Sequence, residues 1–172
     1  MTATPVLVVL GGLPGTGKTT LARLLARDLG AAHLRIDTLE QAVVQSSLRV
    51  PAAAEVGYTA AAGVARDNLR LGLSVVADCV NPVAESQAGW HAVAAATRAR
   101  LVEIQLLCSD PAEHRRRVED RVADIPGHVQ PTWADVSTTE LAPWPGAVRL
   151  DSAHRAPADL ALDARSVIDA GA

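Results

Sequence analysis

The stretch Gly12-Leu13-Pro14-Gly15-Thr16-Gly17-Lys18-Thr19 restricts this chain more than any other. It fits the pattern Gly-x-x-x-x-Gly-Lys-[Ser/Thr] without a gap. The apolar run Val6–Leu10 precedes it, and Leu21, Leu24, Leu25 and Leu29 follow at helical spacing, so the motif is expected between a strand and a helix. Glycines let the backbone curl until successive N–H groups point inward, and the helix that follows offers its partly positive N-terminus. Both features favour a phosphate. Lys18 is expected to reach the β- and γ-phosphates of a nucleotide and the Thr19 hydroxyl to ligate Mg²⁺. Pro14, Thr16 and Thr20 belong to the same cradle. Lys18 is the only lysine in a chain whose other basic side chains are arginines, which singles out the place where a compact ammonium is wanted. A dinucleotide fingerprint through Gly15-Thr16-Gly17 fails, because Thr20 stands where Gly or Ala is needed. The bland alternative is a glycine-rich turn without a ligand.

At 172 residues the chain is expected to form one domain over 1–172. With no Phe and one Tyr, its core must be aliphatic. A formal charge of −3 opposes general nucleic-acid binding, which needs a basic face. Arg115, Arg116 and Arg117 form the one dense basic cluster. Cys79 and Cys108 are too few for a disulfide framework and are expected to be reduced. No signal-peptide pattern and no apolar run of membrane-spanning length is visible, so a cytoplasmic location is expected.

Further strands are expected at Ala31–Ile36, Leu73–Asp78, Leu101–Cys108 and Ala147–Leu150. Helices are expected from Thr38 to about Leu48, Ala53 to about Leu71, Val83 to about Arg98, Asp110 to about Ala123, and Thr132 to about Leu141. A closing helix carries Leu160, Ala164, Val167 and Ile168 on one face. Asp110, Pro111 and Glu113 read as a capping box with proline at the first helical position. Pro126, Gly127 and Pro131 mark a segment expected to be mobile. Strands alternating with helices give a parallel sheet with right-handed crossovers.

Sites in such sheets lie beyond the carboxyl ends of the strands. The glycine-rich loop, Asp37 and Asp78 all fall there, although either acid could instead be a helix cap or turn former. Phosphoryl transfer to an alcohol needs Mg²⁺ and a carboxylate beside the attacking hydroxyl. Asp37 is assigned as that base and Asp78 to Mg²⁺; the residue pattern also permits the reverse. On a wheel from His114, residues Val118, Val122 and Ile125 form a stripe with Arg117 and Arg121 at its edge. These two arginines either neutralise the phosphates or pair with nearby acids on a solvated face. Arg49, Arg66 and Arg70 are weaker candidates for holding an acceptor. Trp90, Trp133 and Trp144 are expected to pack, and the five histidines show no metal spacing.

With these parts in order, the chain resembles the small P-loop kinases of the nucleoside/shikimate-kinase-like group. Within it the nearest likeness is to the chloramphenicol phosphotransferase, zeta-toxin, gluconate kinase and polynucleotide 5′-kinase branch. The matching pieces are residues 12–19, Arg35-Ile36-Asp37-Thr38-Leu39, Val76-Ala77-Asp78-Cys79-Val80-Asn81, Ser109-Asp110-Pro111 before Arg117 and Arg121, and Leu150-Asp151-Ser152. The resemblance implies an α/β three-layer fold with five parallel strands in the order 2-3-1-4-5 and a lid at about 122–135. It implies ATP rather than GTP, with Arg155 stacking on the base in the loop after Leu150. The acceptor region, about 38–70, is rich in Ala and Val and has no arginine cluster, which favours a neutral or partly apolar alcohol. The expected activity is ATP-dependent transfer to a small-molecule hydroxyl, antibiotic- or sugar-like. A nucleotide or polynucleotide 5′-kinase and an NTP-binding regulator acting through a protein partner are the alternatives.

Overall fold

The computed structural model describes residues 4–47 and 55–170. Arg49 and the expected helix boundaries at Leu48 and Ala53 lie outside them. The elements run β1 (Val6–Gly11), α1 (Lys18–Leu29), β2 (Ala32–Arg35), α2 (Ile36–Val44), α3 (Val56–Arg70) and β3 (Val75–Asp78). They continue with α4 (Ala84–Thr97), β4 (Arg100–Leu107), α5 (Pro111–Glu119), α6 (Trp133–Thr138), β5 (Val148–Asp151) and α7 (Pro157–Ala170). The five strands form a parallel sheet in the order β2-β3-β1-β4-β5.

β1 is buried along its whole length, and its two faces feed two cores. Val6, Val8 and Leu10 pack with Leu21 and Leu25 of α1 and Leu160 and Ile168 of α7. Leu7 and Val9 point the other way, against Ala61, Ala65 and Leu69 of α3 and Trp90 and Val93 of α4. The period of two along a central strand with both faces covered explains why β1 reads as an unbroken apolar run. Register then places the chemistry. Leu10 pairs with Asp78, and Asp78 pairs with Arg35, so these residues lie level at the carboxyl edge of the sheet.

Several boundaries differ from the sequence expectation, each for a tertiary reason. β2 is an edge strand that pairs only with β3, and it ends at Arg35. Ile36 turns into the core and opens α2, so Asp37 sits in the first turn of that helix rather than at a strand end. α5 stops at Glu119, and Arg121 lies beyond the helix that was expected to carry it beside Arg117. Val122, expected in the apolar stripe, is exposed, whereas Ile125 is buried. Beyond Glu119 the chain leaves the helix, and in that loop Ile125 is buried and Asp124 meets its arginine partners. Only half of the expected capping box forms at α5. Asp110 Oδ1 accepts from the backbone N–H groups of Ala112 (2.9 Å) and Glu113 (3.1 Å). The Glu113 carboxylate turns instead to Arg117 and to the His154 N–H. A complete box caps α6, where Thr132 and Asp135 bond reciprocally.

The expected packing tryptophans include one with a polar task. The Trp144 ring lies against Gly11, where a Cβ would collide with it. Its Nε1–H donates to buried Glu103 Oε1 at 2.9 Å. Trp144→Phe keeps an aromatic ring but removes one of two nitrogen partners of this buried carboxylate, His91 Nε2 remaining at 2.9 Å, a change expected to destabilise the fold by about 1 kcal/mol. Urea denaturation of the two proteins checks this.

Candidate active site

The loop between β1 and α1 forms where glycine is sterically required. Gly12 has φ +134°, and a Cβ there would strike the Leu106 carbonyl. Gly15 has φ +83°, and its Cβ would meet Val118 Cγ2 at 2.6 Å. An L-residue is strained at these angles whatever the space around it. The loop is further pinned by Gly12 N–H to Val80 O (3.1 Å) and by the Thr16 hydroxyl to Leu13 O (2.9 Å). His114 of α5 reaches across with Nε2 at 2.8 Å from Pro14 O, which makes that nitrogen the N–H donor. The same ring meets Trp133 edge-on at 5.3 Å. Sequence reasoning assigns His114 no role beyond a helical stripe, since nothing local links positions 14 and 114.

A cavity of about 480 Å³ opens above this loop. Pro14, Gly15, Gly17, Lys18, Thr19 and Thr20 form its floor. Asp37 and Asp78 line it from the sheet edge, and Arg117 and Arg121 from the α5 side. Residues 128–131 and Asp135 form the remaining wall. Gly12 and Thr16 support the loop from outside this space. Thr16 instead borders a neighbouring hollow of about 260 Å³, with Arg117, Ser152, Arg155 and Leu160. There Arg155 is held by Asp163, Nη1 to Oδ2 at 2.7 Å, across the hollow from Gly15 and Gly17.

Lys18 is buried, and its Nζ donates to Leu13 O at 2.8 Å. Burial lowers its pKa, and Asp78 and Asp37 act against that effect. Asp78 is 3% exposed. Burial alone would raise its carboxyl, but His33 (Nε2 to Oδ2, 3.4 Å), the Lys18 charge and the Thr19 hydroxyl outweigh it and hold it below the usual carboxylate range. An ionised carboxylate beside a threonine hydroxyl is the hard-oxygen donor set that suits Mg²⁺. Glu40 lies behind Asp37, and burial followed by the Asp37 charge raises its pKa. Tyr58 of α3 lies in the separate groove between α3 and α4, its hydroxyl accepting from Asn81 N–H at 2.9 Å; burial pushes the phenol up. Burial likewise raises the Cys79 thiol, which donates to Leu10 O, and both cysteines are free.

Arg117 lines both spaces but is already partnered: Nη2 to Glu113 Oε1 at 2.6 Å, and Nη1 to Ser152 Oγ at 2.9 Å. Arg121 faces the cavity near Lys18 and depresses the lysine further. Among the weaker candidates, Arg66 borders a separate groove between α3 and α4, and Arg70 is an exposed partner of Asp67.

Sequence reasoning does not find Arg35, Arg23 and Asp124 as a group. Arg35 Nη1 and Nη2 grip Asp124 at 2.8 and 3.0 Å, and Arg23 Nη2 adds a bond at 2.8 Å. The hydrogen bond from Arg35 is foremost among the causes that hold the Asp124 carboxyl far below its ordinary value. A depressed folded-state pKa gives stability that is fully present above the unfolded value of about 3.9 and is lost as pH falls below it. The stability gap between wild type and Asp124→Asn is therefore expected to stay constant from neutral pH down to about 5, then narrow in more acidic buffer. Denaturant midpoints across this range check it.

Five parallel strands in this order, a phosphate-binding loop after β1, an acid in the turn after β2 and another at the end of β3 define the P-loop kinase fold. The chain belongs to the AAA domain family AAA_33, whose model matches residues 7–135. No curated protein matches it in sequence. Among solved structures it is similar to the APS kinase CysC of Mycobacterium tuberculosis in complex with AMPPNP and APS, at 19% identity over 96% of this chain and 98% of that one, TM-score 0.69. It is similar to a gluconokinase from Sinorhizobium meliloti 1021, at 17% identity over 97% and 93%, TM-score 0.65. It is also similar to Kti12 of Chaetomium thermophilum in complex with ADP-AlF3, at 20% identity over 95% and 96%, TM-score 0.68. Among the described residues no helix is long and apolar enough to cross a membrane.

Proposed function

We propose that this chain is an ATP- and Mg²⁺-dependent kinase that transfers the γ-phosphoryl group to a hydroxyl of a small molecule, antibiotic- or sugar-like in chemistry. One observation carries the reading: Lys18, Thr19, Asp37 and Asp78 face a single cavity large enough for a triphosphate end and a small alcohol together. Loop N–H groups and Lys18 bind the phosphates, and Arg121 adds charge from the far wall. The neighbouring hollow beside Arg155 takes the base. Thr19 and Asp78 would hold Mg²⁺, which when bound neutralises charge on the β- and γ-phosphates. Asp37 accepts the proton of the acceptor hydroxyl as its oxygen bonds to the γ-phosphorus. The bond to the β–γ bridging oxygen breaks, and ADP leaves with that electron pair. The APS kinase and gluconokinase likenesses support a kinase without choosing the acceptor.

ADP release measured across hydroxylated antibiotics, sugars, nucleosides and oligonucleotides tests the reading. Strong stimulation by one small alcohol is expected. Stimulation by oligonucleotides alone would favour the polynucleotide 5′-kinase alternative. No stimulation despite tight ATP binding would favour a regulator that acts through a protein partner.

A further inference from the structure

The loop after α5 touches the cavity at both ends and is tied to the protein in its middle. Arg121 lines the cavity on the way out, and His128 and Gln130 line it on the way back. Between them, Asp124 is gripped by Arg35 of β2 and Arg23 of α1. Ile125 is buried, and the Pro126 carbonyl accepts from Gln45 Nε2 at 2.6 Å. The position of Arg121 at the cavity wall is therefore set by bonds made on the β2 edge of the sheet.

Arg35 joins that tie to the acids. Its guanidinium is 7% exposed and stands among three carboxylates. Two of its nitrogens bind Asp124, Nη2 also lies 3.9 Å from Asp37, and Nε lies 4.0 Å from Asp78 without a hydrogen-bond partner of its own. Planar two-point contact with one carboxylate leaves the third edge of the fork facing the other acids, a geometry a lysine cannot reproduce. We infer that Arg35 is a positioning residue that couples the Arg121 loop, through Asp124, to the placement of Asp37 and Asp78. The hold on the loop and the alignment of the acids then depend on the same side chain. This inference rests on the kinase reading only for its activity arm.

The test uses Asp124→Asn, which changes one exposed-side partner, and Arg35→Lys, which keeps the charge but removes the fork. Arg165→Ala serves as control, since its exposed pairs with Asp28 and Asp169 lie outside the tie and the cavity. Hydrogen exchange of the full chain without ligand is followed by mass spectrometry, AMPPNP affinity by calorimetry, and phosphoryl transfer by ADP release. In both test variants, exchange over residues 120–131 is expected to accelerate about tenfold or more, as a charge-assisted two-point bond is broken. Exchange in β1 and α1 should not change. AMPPNP affinity should stay within about threefold while kcat falls about tenfold or more, because the Arg35–Asp124 pair serves alignment rather than nucleotide binding. Asp124→Glu should recover part of both the protection and kcat.

Unchanged exchange over 120–131 in both variants would overturn the inference. Faster exchange with unaltered kcat would also overturn it, since the tie would then hold the loop without placing the reacting groups. If wild type transfers phosphate to no acceptor, the kinase reading fails separately, and the exchange result alone decides whether Arg35 and Asp124 hold the loop.

Discussion

Asp37→Asn is expected to reduce phosphoryl transfer by about 10²–10⁴-fold while ATP affinity stays within about threefold. Asparagine keeps the size and most hydrogen bonds of the side chain but is a far weaker proton acceptor. Asp37 sits in the first turn of α2, and its nearest cation is Arg35 at 3.9 Å, so the substitution disturbs no tight ion pair. The fold should be unaffected, and the deficit should appear in kcat rather than in nucleotide binding. Steady-state kinetics with a responsive acceptor, together with AMPPNP titration, separate the two. Transfer near the wild-type level would remove Asp37 as the base and turn attention to Asp78.

Lys18→Ala should weaken both binding and transfer, by at least about tenfold and about a thousandfold respectively, because the ammonium holds ground-state phosphates and the charge that develops during transfer. Lys18 is buried within reach of Leu13 O, and the alanine leaves that carbonyl with the Thr16 hydroxyl still donating to it. The lysine is held below its ordinary pKa by burial, an arrangement that costs stability when no phosphate is bound. The variant is therefore expected to be no less stable than wild type, a combination that sets a functional cation apart from a structural one. Thermal denaturation beside ATP titration checks it.

Most of the fold was legible because its signals are local. The apolar run at Val6–Leu10, the glycines at 12, 15 and 17 and the regular return of strands after helices lead to the parallel sheet without tertiary information. Asp78 could be placed at the sheet edge because a buried strand ending in an acid leaves few other positions for it. What could not be read depends on bonds between distant segments. Asp124 looks like one more surface acid until Arg35, 89 positions earlier, is seen to grip it. Arg117 and Arg121 share a helical wheel only if α5 continues, and α5 ends at Glu119. His114 owes its bond with Pro14 to the packing of α5 over the loop, which no spacing rule encodes. The acceptor's chemistry is harder still to read, since fold does not fix substrate and the acceptor wall is assembled from several elements.

The most direct test of the central claim follows the γ-phosphate itself. ATP labelled at that position is incubated with the protein, Mg²⁺ and each hydroxylated compound that raises ADP release, and the label is located by phosphorus NMR. A phosphate ester on the small molecule, formed in step with ADP and absent with Asp37→Asn, is the predicted result. Label recovered only as inorganic phosphate, at a rate no compound alters, would contradict the account.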